Sequence, residues 1–393
     1  MFAVERTASR EIHELPPLGG TRVSSMSDPA MLYSQAVPRP TLEFLEFVSL
    51  ARYTTLQIGG PARFLCEVTS EAEVQEAVSF ALHRGLPLFV LGGGSNLLVS
   101  DAGFDGLVMR VGVPVAERER READSILLEA GAGESWDDVV LYAVDRGYAG
   151  IECLAGIPGN VGGTPVQNVG AYGQEVAETI AQVRAYDLEA RRFVDLDHAA
   201  CRFGYRRSLF NTEARGRYIV TAVTYKLRPE GEPALRYADV TRYFAAQIEA
   251  GEKPTLRQVY DAVRSIREQK GMLVGQGGAD GRSAGSFFKN PVVSSALISQ
   301  VAVGAGCGGD EVPRYAAGDG MVKLPAAWLV ERAGFHKGFA MGRVAISSRH
   351  TLALVNLGGA TAAELITLRD AVVEGVESKF GVHLEQEPVQ LGG

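Results

Sequence analysis

The segment GIPGNVGGTPVQNVGAYG, residues 156–173, constrains the fold of this chain more than any other stretch. Glycines at 156, 159, 162, 163, 170 and 173 open left-handed dihedrals and close approaches that a Cβ forbids. A linker of that glycine content is polar, whereas this segment carries Ile157, Val161, Val166 and Val169, which belong in a core. Buried irregular backbone must find partners for its N–H and C=O groups, and an extended ligand lying against it is the best account of the segment. A second glycine cluster stands upstream. The apolar run LPLFVL, residues 86–91, reads as a strand and passes directly into Gly92, Gly93, Gly94, Ser95 and Asn96, where missing side chains let a ligand press on backbone amides.

A helix precedes each loop. The first opens on a Ser70/Glu73 capping box, shows an apolar face at Val74, Ala77, Val78, Ala81 and Leu82, and stops at Gly85. The second opens at Ser135 and Asp138, carries Val139, Val140, Tyr142 and Ala143, and stops at Gly147. Beyond the second loop, residues 182–190, 191–198 and 217–229 read as strands of an antiparallel portion, with a turn-rich break at Gly231 to Pro233 and a domain boundary between 230 and 255. A Thr361/Glu364 capping box opens the last helix, lined by Leu365, Leu368, Val372 and Val376 and ended by Gly381, and HLEQEPVQL, residues 383–391, reads as a final strand.

With 393 residues, 46% hydrophobic and 22% charged, the chain has material for two or three domains. A formal charge of −8 with no Lys/Arg run argues against a nucleic-acid surface, though a small anionic ligand in a local basic pocket stays open. Cys66, Cys153, Cys201 and Cys307 form no CxxC pair, so neither a metal site nor a disulfide framework is expected. No apolar run reaches the roughly 18 residues of a membrane span, and no secretion signal opens the chain. Residues 1–42, rich in proline and glycine, read as a disordered leader, with Met26 or Met31 as alternative starts. Standard nucleotide motifs are missing: Leu97 follows Ser95 and Asn96 where GxGxxG needs glycine, and neither GxxxxGK[ST] nor HExxH occurs.

The chemistry-bearing candidates lie elsewhere. In SAGSFFKNP, residues 283–291, Gly285 permits close backbone approach and Phe287 and Phe288 exclude water, so Ser286 is either a reactive hydroxyl or the cap of a buried turn. Ser286 and Lys289 match SxxK, but SDN and KTG elements are missing and Pro291 sits two residues beyond Lys289, which disfavours the helical turn that nucleophile motif requires. Arg206 in CRFGYRRSLF is either a surface arginine on a strand edge or a ligand clamp. Glu385 and Glu387 share one face of the final strand, where carboxylates are ordinarily solvated. Lys323, Trp328, Glu331 and Lys337 mark a helix that is mostly core packing.

YTTLQIGGPARF, LGGGSNLLV, AGIPGNVGGTPVQNVGAYG, CRFGYRRSLF, SAGSFFKNP, KLPAAWLVERAGFHKG and LEQEPV occur in this order. The chain thereby resembles the UDP-N-acetylenolpyruvoylglucosamine reductase family of flavoenzymes over residues 45–391. The resemblance implies an α+β protein. An FAD-binding domain of the vanillyl-alcohol-oxidase (PCMH) type in two subdomains is expected over residues 43–230, followed by a smaller α+β substrate-binding domain over 231–393. Gly92, Gly93, Gly94, Ser95 and Asn96 would cradle the FAD pyrophosphate, and Gly156, Ile157, Pro158, Gly159, Gly162, Gly163, Gly170 and Ala171 would run along the flavin.

The implied reaction is NADPH-dependent reduction of UDP-N-acetylglucosamine enolpyruvate to UDP-N-acetylmuramate, for peptidoglycan precursors in a bacterial cytoplasm. Arg206 would bind the enolpyruvyl carboxylate, Ser286 would donate the proton, and Glu387 would stand beside that carboxylate with a raised pKa because like charges resist joint ionisation. Tyr172, Tyr237, Lys270, Asn290 and Lys337 match positions that meet the nucleotide-sugar, and Tyr237 lies in a segment resembling a loop that folds over substrate. Pro388 and Val389 depart from the Val-Arg that many members carry after this glutamate. The expected partners are the UDP-sugar and NADPH, with no nucleic acid, membrane or metal and a monomeric state. Another FAD-dependent oxidoreductase acting on an alcohol or hydroxy acid, and a non-catalytic flavin-binding module, are the competing readings.

Overall fold

The computed structural model describes residues 42–116, 118–273 and 278–392, so the expected leader lies outside the described residues except for Leu42, which is buried. The first sheet has the order β1 (Leu45–Ser49), β2 (Pro61–Val68), β5 (Phe104–Val111), β3 (Leu88–Leu91). β1 is antiparallel to β2, whereas β2 and β3 lie parallel to β5. Helix α1 (Glu71–Arg84) makes the crossover from β2 to β3: Ser70 accepts the Glu73 N–H, and Gly85 ends the helix at φ 63. Val74, Ala77, Val78 and Ala81 are buried, but Leu82 is 56% exposed. At 100° per residue it stands about 80° round the helix from Val74, beyond the buried stripe.

The second sheet is antiparallel, in the order Arg192–Asp197, Ile180–Asp187, Tyr218–Pro229, β7 (Ser125–Gly131), β6 (Glu119–Glu122). Helix α2 (Trp136–Asp145) buries Trp136, Val139, Val140, Ala143 and Val144. Its indole donates to Leu154 O at 3.1 Å and packs 5.4 Å from the Tyr225 ring, whose hydroxyl meets Thr164 at 2.7 Å. The second glycine segment is thereby fastened over this sheet. Helices α3 (Ala238–Tyr243), α4 (Ala245–Glu249) and α5 (Leu256–Gln269) follow, and Val240, Phe244 and the buried face of α5 join the same apolar cluster.

A further cluster runs from Ala284 to Leu384 and holds α6 (Ile298–Ala305), α7 (Ala326–Arg332) and α8 (Ala362–Phe380). Leu56, Ile58 and Leu98 from the N-terminal region are built into it, so apolar packing changes between Ile266 and Ala284, downstream of residue 231. β4 (Leu97–Val99) pairs in parallel with Val389–Leu391. The strand expected over 383–391 is confined to those last three residues, because upstream of Pro388 the backbone pairs with the Phe287–Lys289 segment rather than with β4, in one bridge between Gln386 and Phe288. Among the described residues no helix is long and apolar enough to cross a membrane, no His/Cys/Asp/Glu cluster is fit to hold a metal, and the four cysteines are free.

Candidate functional site

The two glycine loops meet along one cleft of ≈ 1430 Å³. A Cβ on Gly93 would lie 2.6 Å from Gly159 Cα, and one on Gly94, at φ 63, would lie 1.8 Å from Tyr53 O, so both positions exclude a side chain. Ser95 Oγ donates to Pro158 O at 2.9 Å and Asn96 Nδ2 to Gln167 Oε1 at 2.7 Å, stitching the first loop to the second. The N–H groups of Gly93, Gly94 and Ser95 have no partner among the described residues. Free amides in a glycine loop form an anion-binding concavity. Gly92 and Gly163 line the cleft with open space beside the missing Cβ, so a side chain at either would fill the cradle. Ile157, Pro158, Gly159, Gly170 and Ala171 line it too. This donor set and shape fit a dinucleotide cofactor.

Two glycines expected along that ligand do not reach the cleft. Gly162 packs on the second sheet, where a Cβ would come 2.7 Å from Ala132 Cβ. Gly156, at φ 67, faces Leu273 and Arg267; its N–H donates to Asp137 Oδ1 at 2.6 Å and its carbonyl accepts from Arg267 Nε at 3.0 Å. Missing side chains serve packing at these positions.

Arg206, Ser286 and Glu387 line the same cleft. Arg206 Nη2 donates to Gly170 O at 2.6 Å, Nη1 to Asn168 O at 3.3 Å, and Nε lies 3.6 Å from Glu387 Oε1. Arg206, Asn168 and Tyr172 adopt φ 55, 46 and 48. A left-handed backbone costs a non-glycine residue about 1–2 kcal/mol, and such strain gathers at functional sites. Here it is held by Asn168, which donates to Glu175 Oε2 and Gly204 O, and by Asn211, which donates to Arg206 O.

Ser286 reaches Glu387 through backbone pairing: Glu387 N–H donates to Phe287 O and Lys289 N–H to Glu385 O, both at 2.9 Å, while Phe287 N–H donates to Leu352 O at 2.7 Å. Phe287 and Phe288 are 0% and 2% exposed with their rings edge-on; Phe288 lines the cleft beside Ser286, and Phe287 is part of the apolar cluster. The turn's cap is Ser283 Oγ, accepting from Gly285 N–H at 3.4 Å, and Ser286 Oγ has no hydrogen bond to the described residues. Lys289 pairs with Glu385 at 2.5 Å, and the segment carries no helix, which removes the SxxK arrangement.

The two glutamates live in different media. The side chain of Glu385 is 70% exposed and that of Glu387 20%. Burial raises the Glu387 carboxyl above the usual carboxylate range, against the pull of Arg206 and Lys289. Burial therefore raises it before any substrate carboxylate arrives, a cause the sequence did not disclose.

Tyr172 and Tyr237 meet edge-on at 5.4 Å, and Lys270 donates to Asp239 Oδ2 at 2.7 Å with its ammonium 5.7 Å from the Tyr172 ring. Asn290 Oδ1 accepts the Ala326 N–H at the start of α7, leaving its amide for the cleft it lines. Lys337 is exposed and does not line the cleft. Two cleft residues escaped sequence reasoning. His350 Nδ1 accepts from Leu352 N–H at 3.0 Å, and burial, then Lys270 and Lys337, push its pKa down to about 4, so it is a neutral ring with its proton on Nε2. Arg267 is buried and ties α5 to Gly156 O and Met272 O. Neither belongs to a motif, and only the fold brings them to the site.

Comparison with known proteins agrees with this geometry. Residues 62–191 match the FAD binding domain family, and residues 276–391 match the C-terminal domain family of UDP-N-acetylenolpyruvoylglucosamine reductase. The chain is 45% identical over 356 residues to the UDP-N-acetylenolpyruvoylglucosamine reductase of Thermobifida fusca, covering 90% of this chain and 99% of that one. It is 46% identical over 366 residues to that of Streptomyces coelicolor, covering 91% and 93%. The crystal structure of UDP-N-acetylenolpyruvylglucosamine reductase from Thermus caldophilus superposes with a TM-score of 0.59 at 27% identity, over 89% of this chain and 100% of that one.

Proposed function

The chain belongs to the UDP-N-acetylenolpyruvoylglucosamine reductase family, and from that premise we propose that it reduces UDP-N-acetylglucosamine enolpyruvate to UDP-N-acetylmuramate with electrons from NADPH. It is an FAD-dependent oxidoreductase of peptidoglycan precursor synthesis, and the two larger sheets are the halves of a vanillyl-alcohol-oxidase-type FAD-binding domain. Bound FAD supplies hydride transfer.

The observation that carries the residue assignment is the convergence of Arg206, Ser286 and Glu387 beside the glycine cradle. Arg206, anchored on two carbonyls, offers its planar fork to the enolpyruvyl carboxylate and stabilises negative charge as it develops there. Ser286 Oγ, without a hydrogen bond to the described residues and beside Phe288 in the cleft lining, gives its proton to the adjacent carbon. Burial favours the neutral form of Glu387, the form that can donate a hydrogen bond to the same carboxylate without adding a like charge. The backbone amides of Gly92 to Ser95 would hold the FAD pyrophosphate, and Gly159, Gly163, Gly170 and Ala171 would lie along the flavin.

Residues 43–230 serve the flavin and 231–393 the substrate, the latter supplying Tyr237, Lys270 and Asn290 to the nucleotide-sugar, with Tyr172 reaching across and Lys337 left outside the cleft. A monomer in a bacterial cytoplasm, with small-molecule partners and no nucleic acid or membrane, completes the reading; the net charge of −8 supports the exclusion of nucleic acid. The test is NADPH oxidation by the flavin-loaded protein with and without UDP-N-acetylglucosamine enolpyruvate. Oxidation that requires the substrate is expected, and oxidation indifferent to it removes the assignment in favour of another flavin reaction.

A further inference from the structure

Asn96 ends the cradle loop and immediately precedes β4. Its carbonyl accepts from Val389 N–H at 2.9 Å, and its side-chain amide donates to Glu387 O at 3.4 Å as well as to Gln167 Oε1 at 2.7 Å. On the other side, Glu387 N–H is held by Phe287 O. Glu387 is thus gripped at both ends of its own backbone, once by the Ser286 segment and once by the cradle. The parallel pairing of Val389–Leu391 with β4 stops short of Glu387, so the Glu387 carbonyl has no ladder donor and takes the Asn96 amide instead.

We propose that Asn96 is a positioning residue that couples the flavin cradle to the carboxyl group of Glu387. The proposal rests on the assignment of Glu387 to the substrate carboxylate. The side chain of Asn96 is committed to Gln167 and Glu387, so its contribution to the cofactor is limited to the backbone of the loop. A shift of the cradle moves Glu387 directly, because Asn96, Gln167 and Glu387 share one amide group and β4 carries the pairing onward. The Arg206 guanidinium, 3.6 Å from Glu387 Oε1, then finds its partner displaced.

Asn96→Asp separates the two links. Gln167 rotates its amide and donates to the new carboxylate, preserving the stitch between the loops, whereas the Glu387 carbonyl faces an acceptor and is released. Rates are read per flavin bound in the holoenzyme, because the new charge stands in the cradle loop and can weaken flavin binding itself; flavin reduction by NADPH, normalised in this way, is the internal reference. Transfer to the enolpyruvyl substrate is expected to slow by about 10–100-fold, as a small misplacement of a reacting group does. The loss should lie in kcat rather than KM, with the Glu387 limb of the pH profile displaced, since Glu387 is then set differently against Arg206 and Lys289, the charges that face it. Flavin content lost in proportion to activity makes Asn96 a flavin contact and overturns the coupling, as does wild-type transfer with an unmoved pH profile. Glu387→Gln is measured alongside. If it turns over normally, the assignment of Glu387 falls; if it is slow while Asn96→Asp is normal, only the coupling falls. Should Asn96→Asp not fold, judged by near-UV circular dichroism, Asn96→Ser removes the same donor without a charge and is read by the same criteria.

Discussion

The glycine cradle presents backbone to its ligand, and the Arg206–Ser286–Glu387 end of the same cleft presents side chains. In the cradle, Gly93 and Gly94 are packed so closely on Gly159 and Tyr53 that their N–H groups are fixed without help. At the other end, positions are set by polar anchors on distant segments: carbonyls of Asn168 and Gly170 for Arg206, the carbonyl of Phe287 for Glu387. Packing tolerates no extra atom, while an anchored side chain can be exchanged for an isostere with the fold intact. Substitutions at Gly93 or Gly94 should therefore damage folding and flavin binding together, whereas substitutions at the other end should remove chemistry without loss of the fold.

The largest effect is expected from Gly94→Ala, which places a methyl group against Tyr53 O at a left-handed φ. A loss of at least about 2 kcal/mol in denaturant unfolding, with flavin absorbance lost, is the expected result, and an unchanged midpoint with full flavin would erase the contrast. Next, Ser286→Ala should keep its flavin and its reduction by NADPH while turnover drops by about a hundredfold or more, measured by stopped-flow of each half-reaction. Normal turnover would take Ser286 out of the chemistry.

Glu387→Gln sharpens the contrast in the opposite direction, since turnover should fall while stability rises. The folded carboxyl has a raised pKa, so its contribution to stability is present below the unfolded value and is lost as pH rises through the folded one. At neutral pH the native enzyme therefore bears the cost of a buried ionisable group that glutamine does not, and thermal midpoints across pH 4 to 8 should converge at the acid end. His350 has the opposite sign. Its pKa is lowered from 6.5 to about 4, so stability present above 6.5 is lost as pH falls toward 4, and His350→Gln should flatten that part of the profile. The smallest effect on folding is expected from Gly163→Ala, whose methyl enters open space in the cleft: the unfolding free energy should move by no more than about 0.5 kcal/mol while flavin binds more weakly, as read by titration of the stripped protein.

Legibility in the sequence followed the range of the interaction. The ends of α1 and α8 were readable because their caps lie within four residues: Ser70 with Glu73, Thr361 with Glu364 in both directions, Gly85 and Gly381 in the left-handed region. Leu82 failed because spacing shows the direction of a helical stripe and not its width. The final strand failed upstream of Val389, where the chain exchanges β4 for the Phe287 segment as its partner, a change that alternation along the sequence does not show. The glycines could be counted, but which side of the backbone lacked its Cβ could not, so Gly156 and Gly162 read like Gly92 and Gly163 although one pair faces packing and the other open cleft.

By itself the sequence determined α1, α2 and α8, the two glycine loops, and an order of segments specific enough to identify the family. These are consequences of local backbone preference and of spacing along the chain. Only the tertiary structure decided that Arg206, Ser286 and Glu387 meet, that Ser283 and not Ser286 caps the turn, and that Glu385 stays in water while Glu387 leaves it. The reason is that a pKa and a hydroxyl's freedom depend on which distant groups exclude water around them. That exclusion arises when the Phe287 segment, β4 and the last strand are brought into register, which no local pattern encodes.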